Sequence, residues 1–354
     1  MDLSCPRRGA DINRVIRARL AVFVVLALVG GTAASGVSAG SRTPFASAEI
    51  ATVVQAGLMA PSVAEFRPND PLTEGDLSSL LYGLGGGSLP VANPYGRVTL
   101  RELDARLVTL AGLRPAARGI RLAALDAGLA PRSWLGTETV ARMLELRINH
   151  LQQDDDLELE VSDPATRAEA AYSVAKYLAL DPAQVDSVRT WAETFTLPTL
   201  SDWQRQVVAR ALRFVGSPYV FAGTSEKPQL VLGRRLPGGF DCSGFVWRVF
   251  KLEPFAGATA LSQVLVGRTT YAMSGEAPRS ARLSRDELQA GDVVFFGSRG
   301  TRSKPSEVGH MGIYLGNGWM VHSSRFGTTM TPMTGWYDTT FAWGRSQLAE
   351  AGLE

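Results

Sequence analysis

The chain has 354 residues, 45% of them hydrophobic and 20% charged, with 36 glycines, 19 prolines, two cysteines and a formal net charge of +2. That length suggests two domains of roughly 150 residues, each large enough to bury its own core. The composition excludes a disordered chain, a collagen-like repeat and a disulfide-stapled miniprotein, and the small net charge argues against a protein that coats nucleic acid.

Residues 1–39 read as an export signal. Five arginines (Arg7, Arg8, Arg14, Arg17 and Arg19) stand against Asp2 and Asp11, the apolar run LAVFVVLALV follows at 20–29, and Val37-Ser38-Ala39 offers a small-x-small cleavage pattern. The apolar run is about half the roughly 20 residues that a membrane-spanning helix needs. Secretion to the cell envelope is therefore expected, with no stable membrane span. Cleavage would remove Cys5 and leave Cys242 as the single thiol, which cannot form an internal disulfide.

Residues 40–180 carry a helical pattern rich in alanine and leucine. Thr73/Asp76, Thr99/Glu102 and Thr166/Glu169 each show the step of a helix cap followed by an acidic third position. The separations Thr73 to Thr137 and Thr99 to Thr166 point to a duplication with a period of about 65 residues. FRPNDPLTEGDLSSLL (66–81) and SDPATRAEAAYSVAKYL (162–178) resemble S-layer homology repeats, although Asp76 stands where that family usually has Glu. The resemblance implies a helical domain that binds a secondary cell-wall polymer. An unrelated helical bundle with ordinary capping boxes remains the alternative. His150 falls inside LELRINHLQ and reads as an ordinary helix residue; QQDDDLELEVSD (152–163) reads as an acidic loop or edge strand.

Residues 181–200 read as a linker. From 201 the pattern changes. Ser201 or Asp202 caps the amphipathic run WQRQVVARALRFVG, a loop-rich stretch extends to 239, and a helix begins at Cys242. Strands are predicted at 292–298, 310–316, 318–324 and 340–347, with a tight hairpin at Gly316-Asn317-Gly318, where Asn and Gly accept positive φ cheaply. The fold class expected for the whole is α+β: an all-α repeat domain, then helices with an antiparallel sheet.

Cys242 at a helix start sits near the positive end of the helix dipole and near unpaired backbone N–H groups, which favour a thiolate and suit an oxyanion. Gly244 is expected to keep the approach open for a substrate. The chain has three histidines, and two of them, His310 and His322, lie on neighbouring predicted strands with equal parity about the hairpin. They are expected to project from one face, one imidazole taking the Cys proton and the other orienting it. One Cys and two His would also supply three zinc ligands, but no short paired spacing such as Cys-x-x-Cys accompanies them. No metal or cofactor is expected.

Four ordered blocks then carry a resemblance: PYVFAG (218–223), FDCSGFV (240–246), LQAGDVVFF (288–296) and GHMGIYLGNGWMVHSS (309–324) are similar to the NlpC-type cysteine endopeptidases. The resemblance covers 201–354 and implies a papain-like α+β domain that cleaves stem peptides of bacterial peptidoglycan. It implies Cys242 as nucleophile, His310 as general base and then acid, and His322 as the orienting third residue. Tyr219, Asp241 and Ser243 fall at positions implied to hold the oxyanion or position the substrate. The implied bond is γ-D-glutamyl to diaminopimelate, or to lysine in other walls. An amidase, an acyl- or peptidyl-transferase on the same residues, and an idle wall-binding domain are the competing readings. The sequence departs from the family in Ala222-Gly223, where Gly-Gly is usual, and in two basic loops. Loop 224–239 holds Lys227, Arg234 and Arg235; loop 299–308 holds Arg299, Arg302 and Lys304. Both are expected to rim the cleft or to be solvated surface.

Overall fold

The computed structural model describes residues 45–87, 90–147 and 159–353. The leader-like residues 1–39, His150 and most of the acidic stretch lie outside the described residues.

The helical part runs through α1 (Ser47–Gln55), α2 (Glu74–Gly83), α3 (Leu100–Leu110), α4 (Arg114–Asp126), α5 (Leu135–Met143), α6 (Arg167–Leu178) and α7 (Pro182–Glu193). Thr73, Thr99 and Thr166 are the N-caps of α2, α3 and α6. The Asp76 N–H donates to Thr73 Oγ1 at 3.1 Å, the Thr99 N–H donates to Glu102 Oε2 at 2.8 Å, and the Glu169 N–H donates to Thr166 Oγ1 at 3.1 Å. Each bond satisfies a donor that a helix start or its cap would otherwise leave open.

The extended residues before these caps close a ring of backbone hydrogen bonds. Leu72 N–H donates to Ala165 C=O at 2.8 Å, Ala165 N–H to Val98 C=O at 2.8 Å, and Val98 N–H to Leu72 C=O at 3.0 Å. All three residues are fully buried, so the ring satisfies backbone groups that water cannot reach. Three capped helices therefore start from one pseudo-threefold centre. This differs from the duplication expected from the Thr spacings. Thr137 is not a cap: it lies inside α5 and its hydroxyl donates to the Trp134 carbonyl at 3.1 Å. The equivalent threonines are 73, 99 and 166, and the long second interval holds α4 and α5.

The second part begins with α8 (Asp202–Leu212), capped by Ser201. Four short strands follow: β1 (Thr224–Ser225), β2 (Gln229–Val231), β3 (Arg234–Leu236) and β4 (Gly239–Phe240). The stretch read as loop therefore holds two small antiparallel pairs, β1 with β4 and β2 with β3. Next come α9 (Cys242–Phe250), α10 (Leu261–Val264) and α11 (Thr270–Glu276). The main sheet is β5 (Val293–Gly297), β6 (Val308–Gly316), β7 (Trp319–Ser324), β8 (Gly327–Pro332) and β9 (Phe341–Arg345), with α12 (Trp336–Thr340) before β9 and α13 (Gln347–Glu350) after it. Its order is β8-β7-β6-β5-β9 and every pairing is antiparallel. The architecture is the α+β class expected, with β8 added between the predicted third and fourth strands. Asn317 and Gly318 take φ of +51° and +78° in the β6–β7 turn, as two residues that tolerate the left-handed region should.

One continuous core joins the two parts. Phe195, after α7, meets Trp319 of β7 edge-on at 4.9 Å between ring centroids. Arg142 of α5 is completely buried, pairs with Glu138 at 3.5 Å, and donates to the carbonyls of Gly216 (2.8 Å) and Phe326. These two carbonyls belong to the loops before Tyr219 and before β8. The helical part thus supports the segment that leads into the candidate site.

Candidate active site

Cys242 is the first residue of α9 and is 1% exposed. Asp241 caps that helix and does three things at once. Its Oδ1 accepts from the Gly244 N–H at 2.5 Å and from Ser243 Oγ–H at 2.9 Å, and its Oδ2 accepts from the Ala222 N–H at 2.9 Å. Arg268 lies against this cap, donating to Ser243 Oγ at 2.8 Å and to the Ala222 carbonyl at 3.1 Å, with Asp241 Oδ1 at 3.7 Å. Asp241, Ser243 and Arg268 therefore fix the loop that carries Cys242. Tyr219 lies alongside, in a parallel bridge with Phe240, and the Ser323 hydroxyl of β7 donates to the Phe240 carbonyl at 2.7 Å.

The glycine in this segment has a different cause from the one expected. A Cβ on Gly244 would stand 1.8 Å from the Gly223 carbonyl oxygen, so backbone packing requires glycine here whether or not a substrate approaches. Ala222 takes φ of +61°, a conformation that favours glycine.

α9 packs against β6 and β7, which carry His310 and His322. Parity puts both imidazoles on one face, but they are not direct cross-strand partners. Ile313 pairs with Val321 and Tyr314 with Met320, and a register shift lies between Tyr314 and Gly316. His322 thus stands beside Gly312, where an added Cβ would come within 3.0 Å of the His322 Cβ. The two histidines meet on the diagonal: His310 Nε2 lies 2.8 Å from His322 Nδ1, with the rings edge to face. His322 Nε2 lies 3.5 Å from the Tyr337 hydroxyl.

These contacts constrain the protons. With His310 Nε2 engaged by His322, Nδ1 is the nitrogen left to accept a proton. It is basic only if Nε2 carries the hydrogen, so that His310 donates to His322 Nδ1. His322 then carries its own hydrogen on Nε2 and presents it to Tyr337. Phe296, the direct partner of His310 on β5, joins Trp336 and Tyr337 in an apolar enclosure around the pair. Burial in that enclosure pushes His310 down to about 4 and holds His322 well below its ordinary value, His310 adding to the second effect. Burial also raises the Tyr337 phenol. Both imidazoles are neutral near pH 7, the state a proton acceptor needs.

Thr270, the first residue of α11, places its Oγ1 3.5 Å from Cys242 Sγ. Thr270, Arg268, Trp336 and Tyr337 were not singled out by the sequence. Arg268 and Thr270 sit outside any motif, and Trp336 and Tyr337 belong to a short helix with no periodic signal. Among the described residues, no group of three or more His, Cys, Asp and Glu side chains is placed to hold a metal ion.

The comparisons agree with this geometry in where they fall. Residues 216–345 match the NlpC/P60 family. The chain is 31% identical over 172 residues to the bifunctional muramidase/DL-endopeptidase CwlT of Bacillus subtilis, covering 47% of this chain and 45% of that protein. It is 30% identical over 140 residues to the murein DD-endopeptidase MepH of Escherichia coli, covering 36% and 42%. It is 34% identical over 113 residues to a gamma-D-glutamyl-L-lysine dipeptidyl-peptidase of Bacillus cereus, covering 32% and 26%. The chain spans less than half the length of each of these relatives. Cys242, His310 and His322 all lie within residues 216–345, the segment that matches the NlpC/P60 family.

Proposed function

We propose that the chain is an exported bacterial cell-wall hydrolase, a cysteine endopeptidase that cuts the stem peptides of peptidoglycan. The observation that carries this reading is the 2.8 Å bond between His310 Nε2 and His322 Nδ1 on strands packed against the helix that Cys242 opens. It leaves His310 Nδ1 as the base for the thiol. As the Cys242 sulfur bonds to the scissile carbonyl carbon, its proton passes to that nitrogen. The carbon–nitrogen bond then breaks, His310 returns the proton to the departing amine, and a thioester remains. Water attacks the thioester, His310 takes a proton from it, and release of the acid restores the thiol.

The backbone at the start of α9, with Tyr219 beside it, is assigned to the developing oxyanion. The Gly244 N–H has no part in this, because Asp241 already accepts from it. Asp241 and Ser243 act by holding the loop. The family resemblance favours the γ-D-glutamyl–diaminopimelate bond. The named relatives cut different peptidoglycan bonds, so the bond is the part that needs direct measurement. Digestion of purified peptidoglycan with the full chain, beside Cys242→Ala, and mass spectrometry of the soluble fragments tests the proposal. Fragments ending in D-glutamate from the active form alone support it. The same fragments from Cys242→Ala, or none from walls of either stem chemistry, overturn it.

A further inference from the structure

The β2–β3 hairpin is not used by the chemistry above, and its side chains are placed oddly for a solvated loop. Its inward face is anchored: Val231 and Leu236 pack on Val220. Its outward face and tip carry Leu230, 73% exposed, and Leu232, 77% exposed. Leu232 holds φ of +49° in the turn with Gly233, a conformation that Gly, Asn or Asp adopts more cheaply. Nothing in the fold calls for leucine there, since so exposed a side chain packs on little. The left-handed backbone thus coincides with an apolar group held out in water.

Charge accompanies the leucines. Lys227, Arg234 and Arg235 lie in KPQLVLGRRL (227–236), which contains no carboxylate. The nearest acid in sequence, Glu226, is bonded through both oxygens to Arg248 at 2.8 Å. Register places Leu230 directly opposite Arg235, so apolar and cationic side chains share the outward face.

We propose that this hairpin is a membrane-interface wedge, seating Leu230 and Leu232 in the acyl boundary of an anionic bilayer while Lys227, Arg234 and Arg235 meet its headgroups. A tip with apolar ends and cationic flanks matches both layers of such a surface. A soluble polyanion would satisfy the arginines but offer the leucines nothing.

The test uses the full chain and vesicles of phosphatidylglycerol and phosphatidylcholine in equal parts, against pure phosphatidylcholine. Leu230→Ser with Leu232→Asn is expected to weaken binding to the anionic vesicles roughly tenfold or more, since two buried aliphatic side chains are lost. Asn tolerates the left-handed turn, so the hairpin keeps its shape. Arg234→Gln with Arg235→Gln is expected to remove most of the preference for the anionic vesicles. Residues 1–39 stay on every variant, so a second readout reports the hairpin alone: an environment-sensitive fluorophore on Leu232→Cys, with Cys5→Ser and Cys242→Ser. Its emission is expected to shift to the blue and brighten on anionic vesicles. Unchanged vesicle binding by the leucine variant, or a fluorophore that stays in water on bound protein, overturns the proposal. So does an arginine-dependent affinity for soluble polyanion without vesicle binding, which assigns the hairpin to a wall polymer. Slower cleavage of a soluble stem peptide by the leucine variant overturns it in favour of a substrate-rim role.

Discussion

Acid is expected to destabilise this protein through His310, and the structure gives the size of the effect. A solvent-exposed imidazole takes its proton near pH 6.5, whereas burial among Phe296, Trp336 and Tyr337 pushes His310 down to about 4. Between those values the unfolded chain holds more protons at this residue than the folded one, so stability falls as pH falls. The loss is negligible at pH 7, about 2 kcal/mol at pH 5 and about 3 kcal/mol at pH 4. His322 is displaced in the same direction and adds to it. Urea denaturation of the wild type and His310→Gln across pH 7 to pH 4.5 reads the His310 share together with the part of the His322 displacement that His310 causes. The variant is expected to gain about 2 kcal/mol on the wild type between pH 7 and pH 5. The same displacement places the acid limb of kcat/KM near pH 4, where His310 ceases to be neutral, and not near 6.5. Parallel stability curves for the two proteins, with an acid limb near 6.5, would refute the argument that the enclosure keeps the imidazole neutral.

Three further expectations follow from single contacts. Arg142→Ala removes the cation 3.5 Å from the buried Glu138 carboxylate and unbinds the carbonyls of Gly216 and Phe326, so it is expected to lower unfolding free energy by about 3–5 kcal/mol in urea titration; a loss below about 1 kcal/mol would contradict the buried pairing. Gly244→Ala brings a methyl group to 1.8 Å from the Gly223 carbonyl and is expected to cost about 3 kcal/mol or prevent folding, read by thermal denaturation. Tyr337→Phe keeps the ring that walls the histidines but removes the hydroxyl facing His322 Nε2. It is expected to lower kcat about tenfold with little change in KM, and unchanged kcat would remove Tyr337 from the proton chain.

The residues proposed to carry the chemistry were legible because they are local. A cap, a thiol at a helix start, and two histidines flanking an Asn-Gly turn can be read from spacing alone. The three threonine caps were legible for the same reason, since each needs only an acid three residues on. Their threefold arrangement was not. It depends on Leu72, Val98 and Ala165 closing a ring across nearly a hundred residues, and Thr137 offered a plausible but wrong fourth partner. The diagonal meeting of His310 and His322 was also out of reach, because the register shift near Gly316 is set by the whole sheet and not by the turn residues. Arg268 and Thr270 reach the Cys242 loop from a segment between helices, where no periodicity marks a polar residue as structural. The hairpin in 224–239 was hidden by shortness: strands of two or three residues have too little alternation to read.

The central claim is that Cys242 carries the substrate's acyl group. Intact-mass analysis of the full chain, quenched in acid during turnover of a soluble stem peptide, tests it directly. A transient adduct equal to the acyl portion is expected, mapped to the peptide that contains Cys242 and absent from Cys242→Ser under the same quench. Cleavage that proceeds in Cys242→Ala, or an adduct on another residue, would contradict it.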